Sequence, residues 1–138
     1  LYLSSSLILN IGLFMMDKEE NHELPLIYSC SGCSNIAQLA NQIAVELDRD
    51  QVAEMSCIAG VGGGVKSLVK KAKSGRKIIS LDGCSLHCVK NCLARHSIES
   101  THHYTLTNYG IKKMYHMDFS PSDVIDLKKL IIDDINKA

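Results

Sequence analysis

The stretch Ile78 to Cys92, IISLDGCSLHCVKNC, constrains this chain more than any other. A short apolar run meets an Asp-Gly turn, and Cys84, Cys88 and Cys92 then follow at i, i+4 and i+8, which is helical spacing. A strand that turns tightly into a helix is half of a strand–helix–strand unit. Two upstream segments repeat the arrangement, because Cys30-Ser31-Gly32-Cys33 and Cys57 each lie just beyond an apolar strand. The sequence therefore predicts cysteines from three strand ends gathered at one place.

Around that stretch the elements alternate. Leu24–Ser29 is an apolar run without alternation, as expected of a strand covered on both faces. Ser34 or Asn35 is a good N-cap, and Ile36, Leu39, Ala40, Ile43, Ala44 and Leu47 form one helical stripe. Val52–Ile58 reads as a second strand, nearer an edge because Glu54 interrupts it. The glycines from Gly60 to Gly64 read as a loop before a helix over Val65–Lys73. Lys77–Leu81 is the third strand, Ser85–Arg95 the third helix and Tyr104–Leu106 a fourth strand. Ser120-Pro121-Ser122-Asp123 opens a last helix with Val124, Leu127, Leu130, Ile131 and Ile135 on its apolar face. This alternation predicts a small three-layer α/β/α domain with a mainly parallel four-stranded sheet. Ligands of open parallel sheets bind beyond the carboxyl ends of the strands, where Cys30, Cys57 and Cys84 fall.

A chain of 138 residues is long enough to bury a core without disulfide staples. Its six cysteines then point to a reducing, cytoplasmic setting with metal or thiol chemistry. Fifteen basic residues balance fifteen acidic ones, and the aromatic content is 5% without tryptophan, so neither nucleic acid nor a membrane surface is expected as a partner. Residues 1–23 read as a leader and linker, either disordered or a start-site artefact, with a weak membrane anchor as the alternative. Their apolar run, Leu7 to Met16, is too short to span a bilayer, and the expected start is Met15 or Met16. The domain is expected over residues 24–138.

Zinc held by thiolates is tetrahedral, with sulfurs about 4 Å apart. On a regular helix Cys84 and Cys92 would be about 12 Å apart along the axis, too far to share one ion. Cys30, Cys57, Cys84 and Cys88 make the most economical site. Cys33 and Cys92 are the lesser candidates, Cys92 as a buried apolar residue. Other chemistries fit poorly. A dithiol at Cys30 and Cys33 lacks a suitably placed proline opposite it. The glycine run has Val65 where a phosphate-binding loop needs glycine, so its expected role is to let the backbone pass close to the cysteines. His87 and the His102-His103 pair read as solvated, and Asp82 as an acceptor of backbone hydrogen bonds in its turn. No catalytic constellation can be assembled.

The motifs Cys30-Ser31-Gly32, Cys57-Ile58-Ala59-Gly60-Val61-Gly62-Gly63 and Asp82-Gly83-Cys84 followed by Cys88 together resemble the DGC family of small bacterial and archaeal domains. The resemblance runs from about Leu26 to the final helix and includes Gly110-Ile111-Lys112 and Asp118-Phe119. It implies Zn2+ as the cofactor on Cys30, Cys57, Cys84 and Cys88, with no established biochemical role. A metal sphere closed by four protein ligands speaks against catalysis at the ion. The alternative is a redox or electron-transfer protein using the same cysteines as a dithiol or as Fe–S ligands.

Overall fold

A computed structural model describes residues 24–137. The elements are β1 (Leu26–Ser29), α1 (Asn35–Arg49), β2 (Glu54–Met55), α2 (Ile58–Gly62), α3 (Lys66–Ala72), β3 (Ile78–Asp82), α4 (Cys88–Ala94), β4 (His102–Thr105), a 3₁₀ turn over Leu106–Tyr109, and α5 (Pro121–Ile135). The four strands form one parallel sheet in the order β2-β1-β3-β4. β1 and β3 are buried along their whole length, as two covered faces require.

Alternate residues of the central strands feed two cores. Ile27, Ile79 and Leu81 pack with the stripe of α1 and with Val124, Leu127 and Ile131 of α5. Leu26, Tyr28 and Ile78 pack with Val61 of α2, Ala72 of α3, and Val89 and Leu93 of α4. The domain is a three-layer sandwich, with α1 and α5 on one face and α2, α3 and α4 on the other.

Helix α1 forms where its period says it should. All six stripe residues are buried, and the Ser34 hydroxyl accepts the Ala37 N–H at 3.2 Å as its N-cap. Ser34→Ala should cost about 1 kcal/mol in a urea melt, and an unchanged midpoint would show the cap to be replaceable by water. Lys128 of α5 reaches Glu46 and Asp50, tying the two helices of this layer together.

Four local expectations are corrected. β2 is an edge strand as expected but only two residues long, because Cys57 is already capping α2. The glycine run is helical through Gly62, since close packing rather than propensity decides there. A Cβ on Gly60 would stand 2.0 Å from Leu68 Cδ1, and one on Gly62 would stand 2.8 Å from the sulfur of Cys92. Helix α4 starts at Cys88 rather than near Ser85, behind His87 in the left-handed region at φ 51°. On α5, Leu130 faces solvent beside the buried Ile131.

Candidate metal centre

The parallel strands deliver Cys30, Cys57 and Cys84 to one edge of the sheet, immediately after β1 and two residues after β2 and β3. Cys30 is the anchor. It is partly buried against both cores. Its N–H donates to the Leu81 carbonyl, and its Sγ accepts the Gly83 N–H at 3.2 Å, so the ends of β1 and β3 are joined through this residue. Burial pushes the Cys30 thiol up to about 11. The Gly83 N–H opposes the shift, and Asp82, Cys88 and Cys84 add to it through their nearby charges.

The remaining thiols differ in setting. Cys57 is exposed and uses its sulfur as the cap of α2, accepting the Gly60 N–H at 3.4 Å. Cys84 is partly buried in the turn before α4 and accepts a hydrogen bond from Lys113 Nζ at 3.4 Å. Cys88 is exposed on the first turn of α4, and Cys33 is exposed just ahead of the α1 cap. Cys92, four residues beyond Cys88 on the same helix, is partly buried with its sulfur against Gly62. Burial first and Cys88 second push its thiol upward.

Asp82 holds this edge in register. Its carboxylate is 1% exposed and accepts the N–H groups of Val89 at 2.7 Å and Lys90 at 3.2 Å, which fixes the start of α4 and hence Cys88. The expected backbone-acceptor role is therefore present, spanning from the strand end to the next helix. The same carboxylate also takes the Nε2–H of His103 at 2.9 Å. The ring of His87 lies edge-on to that of His103 at 5.1 Å and is bonded to the Thr105 hydroxyl at 3.0 Å. His87 and His103 are consequently tied into the fold rather than solvated.

Three contributors were not visible in the residue pattern. Lys113 is 29 residues from Cys84 in sequence. Asn35 clamps the loop carrying Lys113, exchanging hydrogen bonds with both backbone groups of Met114 and donating to the Lys112 carbonyl. The Ser29 hydroxyl, buried one residue before Cys30, has no hydrogen-bond partner among the described residues. Only the Gly110-Ile111-Lys112 segment of the family pattern hinted at that loop.

Thiolates suit a soft ion such as zinc, and the Gly83 and Gly60 N–H groups and the Lys113 ammonium already face three of the sulfurs, as groups that stabilise negative sulfur do. The donor chemistry therefore fits, while the positions are looser than a closed sphere. Among the described residues no three His, Cys, Asp or Glu side chains are arranged to hold a metal ion.

The DGC domain model matches residues 26–131, most of the chain and every element from β1 into α5. This chain belongs to the DGC family. Within that family it is similar to a protein of Pseudomonas aeruginosa named anaerobic and virulence modulator AnvM. The two are 54% identical over 121 residues, which cover 85% of this chain and 92% of that protein. No solved structure matches the chain. Among the described residues of this DGC domain, no helix is long and apolar enough to cross a membrane.

The raised Cys30 thiol gives the metal-free domain a signature in alkali. The folded chain holds this proton more tightly than the unfolded chain does, so the contribution is fully present below pH 9.0 and is lost as pH rises through about 11. Urea melts across that window should show falling stability, with a shallower fall for Cys30→Ala. Equal slopes would assign the loss to other groups.

Proposed function

We propose that this DGC domain is a metal-binding regulatory module that holds one zinc ion through the thiolates of Cys30, Cys57, Cys84 and Cys88. The observation that carries this reading is the placement of Cys30, Cys57 and Cys84 just beyond three parallel strand ends, at one edge of the sheet. Burial first, and the charges of Asp82, Cys88 and Cys84 after it, keep the proton on the Cys30 sulfur. A bound cation reverses the sign of that effect, so metal binding and deprotonation are coupled. A regulatory role, carried over from the relative's name, suits an ion whose four ligands would all come from the protein better than catalysis does. Such thiols stay reduced in the cytoplasm.

Dithiol exchange through Cys30 and Cys33 has less support. The thiolate is the nucleophile, and a Cys30 thiol pushed up to about 11 is protonated near neutrality. The charges acting most on it come from Asp82, Cys88 and Cys84 rather than from Cys33.

The test is elemental analysis with a visible spectrum on anaerobically purified protein. One zinc per chain, colourless, retained in Cys33→Ser and lost in Cys84→Ser/Cys88→Ser, is the expected result. Iron with sulfide absorption, or metal content indifferent to those cysteines, would overturn the zinc reading.

A further inference from the structure

The balanced total charge conceals a segregation. Between residues 57 and 97 there are eight Lys and Arg residues and one carboxylate, Asp82, which is buried. These residues build α2, α3 and α4, one entire helical layer of the sandwich. The opposite layer, α1 with its Asp50 cap and α5, carries seven carboxylates (Glu46, Asp48, Asp50, Asp123, Asp126, Asp133 and Asp134) against three cations, Arg49, Lys128 and Lys129. The domain is electrically polarised across its sheet.

On the basic face a groove of about 810 Å³ runs along α3, lined by Lys66, Val69, Lys70, Lys73 and His96. Lys66, Lys70 and Lys73 stand at i, i+4 and i+7, a stripe of about 10 Å on one side of the helix. All three are exposed, and none has a carboxylate within ion-pair distance among the described residues. Lys71, which also lines the groove, and Arg76 are by contrast paired with Glu54 at the β2 edge. The Nε2–H of His96 is fixed on the Val61 carbonyl at 2.7 Å, which makes the groove wall part of the fold.

From this geometry we infer that the α3 groove docks an acidic, amphipathic segment of a partner protein. Its carboxylates would meet the lysine stripe, and its apolar residues would meet Val69 and the lysine methylene stems. A protein partner is favoured over nucleic acid by two features. Residues 57–97 contain no Phe, Tyr or Trp on which a base could stack, and the His96 ring is held by its bond to the Val61 carbonyl. The stripe is lysine throughout, without the arginine forks that grip phosphate in two places. No cysteine lines the groove, and the proposal does not depend on the metal reading.

The experiment uses the full chain and a fluorescein-labelled acidic amphipathic peptide, read by anisotropy at low and high salt, with a DNA duplex of matched charge alongside. The triple variant Lys66→Gln/Lys70→Gln/Lys73→Gln should weaken peptide binding at least about tenfold. Lys112→Gln/Lys129→Gln, which removes the same kind of charge elsewhere, should leave it unchanged. The triple Lys→Glu variant should instead bind a basic peptide of the same pattern, a gain that a misfolded protein could not give. Absence of peptide binding, or binding indifferent to the triple variant, overturns the proposal. So does tighter DNA binding abolished by that variant, or self-association of the chain abolished by it.

Discussion

Gly83→Ala should be the most damaging conservative change in the domain. A Cβ at this position would stand 2.9 Å from the Ile36 carbonyl oxygen, 3.0 Å from its carbon and 3.1 Å from Ile36 Cγ2. Two of those three atoms are helix backbone, which cannot rotate away as a side-chain tip can. Ile36 itself is fully buried, and its neighbour Asn35 is held by the Met114 loop, so α1 has nowhere to retreat. Relief would require separating α1 from the end of β3, which also breaks the Gly83 N–H bond to Cys30. Overpacking of this kind costs about 3 kcal/mol, enough to unfold a marginal domain. Gly32→Ala is the internal control. Its nearest neighbour would be Ala37 Cβ at an ordinary 3.7 Å, so its midpoint should hardly move. Urea melts of the two variants decide the matter, and similar midpoints would mean that α1 yields more readily than its burial indicates.

That contrast also shows how far the sequence could be read. The glycine of Asp82-Gly83-Cys84 is recognisable as a turn residue, but its partner lies 47 residues upstream on α1. Periodicity is local, so the α1 stripe, the Ser34 cap and the buried β1 and β3 were all legible, and the parallel sheet, though not its strand order, followed from their alternation. The short helix α2 was not legible, because Gly60 and Gly62 carry poor helix propensity and are there to admit Leu68 and Cys92. The start of α4 was missed because His87 adopts a left-handed conformation uncommon for any residue other than glycine. At the site, the convergence of cysteines on one sheet edge was readable at the level of strands. That the Gly83 N–H faces Cys30 and the Lys113 ammonium faces Cys84 depends on contacts across 53 and 29 residues of sequence. No spacing rule carries that information.

Asp82→Asn should be the second severe variant, and it separates architecture from metal chemistry. The carboxylate satisfies three donors, from Val89, Lys90 and His103. An asparagine keeps the shape but offers one acceptor oxygen and turns an NH₂ group toward the remaining donors. A buried donor left facing another donor costs roughly 1–3 kcal/mol, so a loss of about 3 kcal/mol is expected once α4 loses its anchor. His103→Gln retains an N–H donor and lies at the rim, and should cost about 1 kcal/mol. The order of the two midpoints is the test. If His103→Gln is as damaging as Asp82→Asn, the histidine contact rather than the α4 backbone anchor carries the stability. If Asp82→Asn melts like the parent chain, the position of Cys88 is set by the packing of Val89 and Leu93, and the aspartate of the Asp-Gly-Cys motif must be explained by its charge beside Cys30.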